Sequence, residues 1–263
     1  MLLESDSARV EVDLAHGGRI SSLCIHGMDL IVGSADDVLD WGCYPMAPWA
    51  GRIRQGRFEH AGQVHQLPLS QPPHAIHGTV YQQAWQADGE SSASVGLGPD
   101  WPFAGRAVQR FILEEDSLRL RLEIHSERDP FPASLGWHPW FRRRLSRGGP
   151  AELSFAPGSM YERGEDLIPT GRKVAVPVGP WDDCFVDLAS APEIRWPGAL
   201  RLRLLSDLTH WVVYDEPEHA ICIEPMTGPP DALNLQPQEV TPDRPLIAEF
   251  ELQWASDHGK KSG

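Results

Sequence analysis

The chain has 263 residues with 23 basic against 37 acidic side chains, a formal charge of −14. That balance, with no basic run longer than Arg142 to Arg144, speaks against nucleic acid and anionic membranes as partners and for a small neutral or weakly charged ligand. Apolar residues at 41% support a sizeable core, while 24 glycines and 24 prolines scattered along the chain exclude coiled coil and long helices.

At the N-terminus Glu4, Asp6 and Arg9 interrupt any signal-like run, and no stretch approaches the ~18 apolar residues of a membrane span, so the expected location is cytoplasmic. Turn signals at His26-Gly27, Ala61-Gly62, Asp88-Gly89, Glu115-Asp116 and Pro197-Gly198 divide the chain into short runs. Between Gly33 and Gly56 there is no strand pattern, and the segment reads as a long ordered loop of the kind that carries binding groups. Leu118, Leu120, Leu122 and Ile124 alternate with Arg119, Arg121, Glu123 and His125, the period of a half-buried strand. The same alternation runs through Leu200, Leu202 and Leu204, and through Leu246, Ala248, Phe250, Leu252 and Trp254. A second patternless segment, Met226 to Arg244, separates these two. The expected fold is therefore all-β, a large antiparallel β-sandwich in one domain over residues 1–254, followed by a frayed polar tail at 255–263.

Cys24, Cys43, Cys184 and Cys222 form no Cys-x-x-Cys pair and stand in apolar contexts, which reads as reduced structural thiols. His74 and His77 are three apart, a spacing that sends them to opposite faces of a strand, and Gly96-Leu97-Gly98 lacks the rest of a phosphate fingerprint. Neither a metal nor a cofactor is expected. Four short motifs instead place an ionisable group beside a residue that restrains the backbone: Gly51-Arg52-Ile53, Ile76-His77-Gly78, Trp137-His138-Pro139-Trp140-Phe141 and Ile223-Glu224-Pro225. Singly each has an ordinary structural reading, as a turn histidine, a hydrogen-bonded core imidazole or a salt-bridged strand end. Glu224 closes the apolar run Ile221-Cys222-Ile223, where withdrawal from water would raise its proton affinity into the range of a general base.

Taken together and in order, these motifs resemble those of the aldose 1-epimerase (mutarotase) family, whose fold is the galactose mutarotase-like supersandwich. Gly17-Gly18-Arg19-Ile20-Ser21-Ser22-Leu23 looks like that family's opening strand pair, and Tyr44-Pro45-Met46-Ala47-Pro48-Trp49 running into Gly51-Arg52-Ile53 like its arginine loop. His138-Pro139-Trp140-Phe141, Trp181-Asp182-Asp183-Cys184-Phe185 and Glu224-Pro225 are similar to its His-Pro-aromatic-Phe, aspartate and Glu-Pro segments. The chain departs from the family at Gly51, where asparagine is frequent, and at Gln238, where a glycine often follows the late proline. The resemblance implies interconversion of α and β anomers of free hexoses, with Glu224 as general base, His138 as protonated general acid held charged by a nearby carboxylate, and His77, Arg52 and Asp182 as binders of the sugar. Asp183 competes with Asp182 for that last place, since an extended segment turns only one of two neighbours inward. Trp49, Trp137 and Trp140 flank the motifs, and at most one of them, Trp140, is assigned as an aromatic wall for the sugar. Two other readings use the same residues: a non-catalytic sugar-binding protein on the same fold, and a glycoside hydrolase pairing Asp182 with Glu224. Arg142 to Arg144 with Arg147 is the compact basic group that a phosphosugar would require, and it is expected to face solvent.

Overall fold

Each of the five turn signals closes a hairpin in the computed structural model, which describes residues 1–257. Glu115-Asp116, for example, joins Gly105–Leu113 to Ser117–Ser126, and Pro197-Gly198 joins Glu193–Trp196 to Leu200–Leu205. The strands assemble into one antiparallel sheet of eleven and another of eight. The smaller sheet has Ser117–Ser126 and Leu246–Ser256 side by side at its centre, and Leu118, Leu120, Leu122, Ile124, Phe250 and Leu252 are wholly buried on one face. Burial of each such side chain contributes roughly 1.5–3 kcal/mol. In the larger sheet, Trp137 and Trp211 meet Phe250 at ring-centroid distances of 5.8 and 6.3 Å, so these rings seam the two layers.

The central strands of the larger sheet are buried on both faces. Its central strands run in the order Cys43–Met46, Gly136–Arg142, Ala220–Met226, His210–Tyr214 and Asp182–Val186. On Gly136–Arg142, Trp137 and Phe141 join the inter-sheet core, while Trp140 belongs to a second apolar cluster on the opposite face with Tyr44, Cys184, Val212 and Cys222. That opposite face carries the candidate site. Cys43–Met46 corrects the expectation of a loop from Gly33 to Gly56: all four of its residues are buried, so the segment shows no alternation and its central proline masks it further. Within Met226 to Arg244 the chain likewise forms a short helix, Ala232–Leu235, and a strand, Gln238–Val240.

Residues 255–257 also depart from the expected tail. Ala255 and Ser256 complete the last strand, and the buried carboxylate of Asp257 meets Arg195 Nη2 at 3.0 Å and accepts the Gly198 amide at 2.9 Å. Residues 258–263, the remainder of that expectation, lie outside the described part. Among the described residues no helix is long and apolar enough to cross a membrane, and the four cysteines are free thiols.

Candidate active site

Strand register brings distant parts of the sequence into one row. Tyr44 faces His138, and Cys184 faces Val212, which faces Glu224. His138 and Glu224 are neighbours across the Gly136–Arg142 and Ala220–Met226 pair, with His138 Nε2 3.2 Å from Glu224 Oε1. The next row outward holds Trp140 opposite Cys222, which faces Tyr214, which faces Asp182. Above both rows lies a cavity of about 330 Å³, in the lower part of the range of small-molecule sites. All six residues singled out from the sequence line it: Arg52, His77, His138, Trp140, Asp182 and Glu224.

The arginine and histidine motifs enter from the side. Arg52–Ile53 pairs with Ala75–Ile76 in a two-stranded ladder, and the His77 amide donates to Gly51 O at 2.9 Å. His77 and Gly78 both have positive φ, 59° and 83°. At Gly78 this is obligatory, since a Cβ there would stand 1.9 Å from the Ala47 carbonyl oxygen. At His77 it is a strained conformation of a non-glycine residue, the kind that gathers at functional sites. Gly51, at φ 70° and packed on Pro230, explains the departure from asparagine: both residue types tolerate the left-handed region, and the nearest Pro230 atoms leave no room for a Cβ. The Arg52 guanidinium makes no ion pair among the described residues. Its backbone is fixed by the Asp231 amide, which donates to Arg52 O at 2.6 Å. His74 turns away from the cavity, accepting the Gln55 amide on Nδ1 and meeting Asp166 O with Nε2.

Burial dominates the electrostatics of the central pair. Removal from water pushes the Glu224 carboxyl well above the usual carboxylate range, an effect increased by the Asp182 charge and opposed by Arg52. The same desolvation pushes the His138 imidazole down to about 3. This corrects the expectation that a neighbouring carboxylate holds His138 charged: both members are 97% or more and 93% removed from water respectively, and burial of two charges outweighs their attraction. Burial thus holds each group towards its neutral form, the carboxyl protonated and the imidazole unprotonated. His77 is pushed well below its usual value too, by burial first and then by His138 and Arg52.

Several lining residues carry no signal in the sequence that singles them out. Tyr44 stacks on His138 at 4.8 Å between ring centroids and meets His77 edge-on at 5.9 Å. Trp140 stacks on the other side of His138 at 5.4 Å, with its Nε1 donating to Leu39 O, so the imidazole is sandwiched. Arg163 reaches from the next strand to both neighbours of the aspartate segment. Its Nη1 is 3.5 Å from Asp182 Oδ2, its Nε is 3.4 Å from Asp183 Oδ1, and Nη1 also donates to Asp182 O. Register puts Asp182 on the Glu224 face, yet the shared guanidinium draws Asp183 to the rim as well, so both line the cavity and strict alternation fails here. Trp49 and Trp137 belong to the core. Of the basic group, Arg144 and Arg147 are exposed as expected, while half-buried Arg142 donates to Ile31 O and Arg143 to the carbonyls of Asp215 and Pro217, on either side of the cavity-lining Glu216. Below the site, the wholly buried Arg19 of the opening motif donates to the carbonyls of His16, Val38, Trp41 and Tyr81 and lies 5.0 Å from the Tyr44 ring, fixing the wall that carries Asp37 to Trp41.

With this geometry in view, the family model described as Aldose 1-epimerase matches residues 3–242. The chain belongs to the aldose 1-epimerase family. Among curated proteins it is 30% identical over 108 residues to the uncharacterized protein YphB of Escherichia coli strain K12, a match covering 39% of this chain and 37% of that one. The fold is shared with solved structures at low identity. A galactose mutarotase-like protein from Clostridium acetobutylicum superposes with a TM-score of 0.84 at 14% identity, covering 97% of this chain and 94% of the other. A galactose 1-epimerase from Lactobacillus acidophilus NCFM gives 0.78 at 17% identity, covering 98% and 94%.

Proposed function

We propose that this family member is a mutarotase acting on free hexoses in the cytoplasm, with Glu224 and His138 as a coupled base and acid. The observation that carries the reading is the 3.2 Å contact between the two inside a cavity that also presents an unpaired arginine and a strained histidine. Anomerisation requires the proton of the anomeric hydroxyl to leave while the ring oxygen gains one, so that the ring bond breaks and an open-chain aldehyde forms. A pair that holds a single proton suits this need. When the sugar and Arg52 stabilise the carboxylate, the proton crosses from Glu224 to His138. Glu224 then takes the anomeric proton and His138 supplies the ring oxygen, leaving both residues neutral beside the aldehyde. Rotation about the C1–C2 bond and the reverse transfers close the other anomer. Arg52, His77 and Asp182 bind hydroxyls or the ring oxygen, and Trp140, edge-on to Tyr214 at 5.9 Å, supplies apolar surface for a C–H face.

Polarimetry of freshly dissolved α-galactose and α-glucose tests the reading. The wild-type protein accelerates the drift to anomeric equilibrium, and Glu224→Gln and His138→Asn abolish the acceleration. Sugar binding without acceleration for any aldose would replace it with the non-catalytic sugar-binding reading.

A further inference from the structure

The two ends of the cavity differ in charge. Arg52 and His77 flank the row that holds His138 and Glu224, and Arg52 is near enough to act on the proton affinities of both Glu224 and His77. Beyond the second row the sign reverses. Asp40, Asp182 and Glu216 line the cavity together with Tyr214, and all three hold its hydroxyl proton on more tightly, behind the larger effect of burial. Asp37 stands close enough to Asp40 to raise its carboxyl in the same way, again behind burial. Among the described residues Asp37, Asp40 and Glu216 have no arginine or lysine ion-pair partner, and Asp182 and Asp183 share the single guanidinium of Arg163. Of the arginines from 142 to 147, Arg142 is bound to Ile31 O, and Arg143 donates to the Asp215 and Pro217 carbonyls on either side of Glu216 while making no ion pair with it among the described residues. The rim belongs to a ligand site and is more than a solvated loop face, because His77 opens onto the same cavity at 7% exposure with an Nδ1 that has no hydrogen-bond partner among the described residues.

We propose that this carboxylate rim selects the sugar by charge: an aldose bearing an ammonium group is bound in preference to its neutral counterpart, and a phosphorylated or carboxylated aldose is turned away. The inference rests on the reading that the cavity takes an aldose. Carboxylates gathered at the mouth of a cleft attract a cation and repel an anion, and because Asp37, Asp40 and Glu216 are exposed the effect weakens as salt is added. The sugar's reacting end, held at Arg52, His77 and the central pair, leaves its remote substituents facing Tyr214 and the rim.

The test measures binding by titration calorimetry with D-glucosamine, 6-amino-6-deoxy-D-glucose, D-glucose, N-acetyl-D-glucosamine and D-glucose 6-phosphate, with mutarotation rates followed separately. At low salt and neutral pH, one of the two amino sugars binds about fivefold tighter than glucose, the scale of one partly exposed charge pair. N-acetylglucosamine shows no such gain, glucose 6-phosphate binds more weakly than glucose, and the differences shrink in ~0.5 M salt. In Asp40→Asn/Glu216→Gln the affinity ratio of amino sugar to glucose falls towards one. If neither amino sugar outbinds glucose, or if glucose 6-phosphate binds tightest, the inference is overturned while mutarotation of glucose still stands. If the ranking appears without any mutarotation, the charge selection holds and the catalytic reading falls.

Discussion

The proton shared by Glu224 and His138 has a consequence for stability that each single substitution should expose. Unfolded, the two groups titrate near 4.5 and 6.5. Folded, Glu224 keeps its proton well above 4.5 and His138 lacks one down to about 3. Between pH 4.5 and 6.5, over the range in which Glu224 keeps its raised proton, the folded pair holds one proton on the carboxyl and the unfolded pair holds one on the imidazole. Their contributions to the pH dependence of stability therefore cancel in the wild type. In Glu224→Gln only His138 remains. The unfolded chain then binds more protons than the folded one, so stability rises with pH through this window and is lost as pH falls. In His138→Asn only Glu224 remains, the folded chain binds more, and stability falls as pH rises through the same window. The limiting slope is about 1.4 kcal/mol per pH unit, and integrating over the window with half-titrated ends gives roughly 2 kcal/mol, of opposite sign in the two variants. Urea unfolding of wild type and both variants at several values from pH 4.5 to 6.5 measures it, each variant being read as its difference from wild type so that other titrating groups drop out. Parallel, pH-independent differences for both variants would show that the pair is hydrated rather than buried, and the account of its proton would fail.

Other expectations follow from the same geometry. Glu224→Gln and His138→Asn each lower the catalytic constant by about 10²–10⁴-fold in polarimetry, and the double variant is little worse than the worse single one because the two act as a unit. The pH profile of kcat/KM has an acidic limb set by a second proton entering at His138 and a basic limb, raised from the usual carboxylate range, set by loss of the shared proton from Glu224. Arg163→Gln leaves Asp182 with its full charge, which holds the shared proton more tightly and moves the basic limb to higher pH, while Arg163→Lys restores it, as a pH–rate series would show. Gly78→Ala, forced to φ 83° with its Cβ against the Ala47 carbonyl, destabilises the fold by more than about 1–3 kcal/mol in thermal or urea unfolding.

The parts legible in the sequence are those where one physical constraint acts alone. Leu118 to Ile124 alternates because one face of its strand is buried and the other is wet, and each hairpin turn needs the glycine or acidic residue that marks it. Cys43–Met46 escapes that reading because a strand covered on both faces has no alternation to display. The site was legible as residue types in order, since Arg52, His77, His138, Asp182 and Glu224 are chemically conspicuous. Tyr44, Arg163 and Tyr214 were not, because cross-strand register places them there and nothing local in the chain encodes register between strands as far apart in sequence as those of Tyr44 and His138. The protonation of His138 was misjudged for a related reason. A contact with Glu224 suggests an ion pair, but the depth of burial that decides between an ion pair and a neutral pair comes from the Tyr44 and Trp140 rings stacked on either side.

The central claim, that the cavity opens and recloses an aldose ring, is tested most directly by magnetisation exchange between the α- and β-anomer proton resonances of galactose at equilibrium. This reads interconversion itself without a coupled enzyme or an initial imbalance. The account predicts exchange that grows linearly with added wild-type protein, is absent with Glu224→Gln, and returns when wild type is added back to the same sample. Exchange indistinguishable from buffer for wild type, with galactose, glucose and the amino sugars alike, would contradict it.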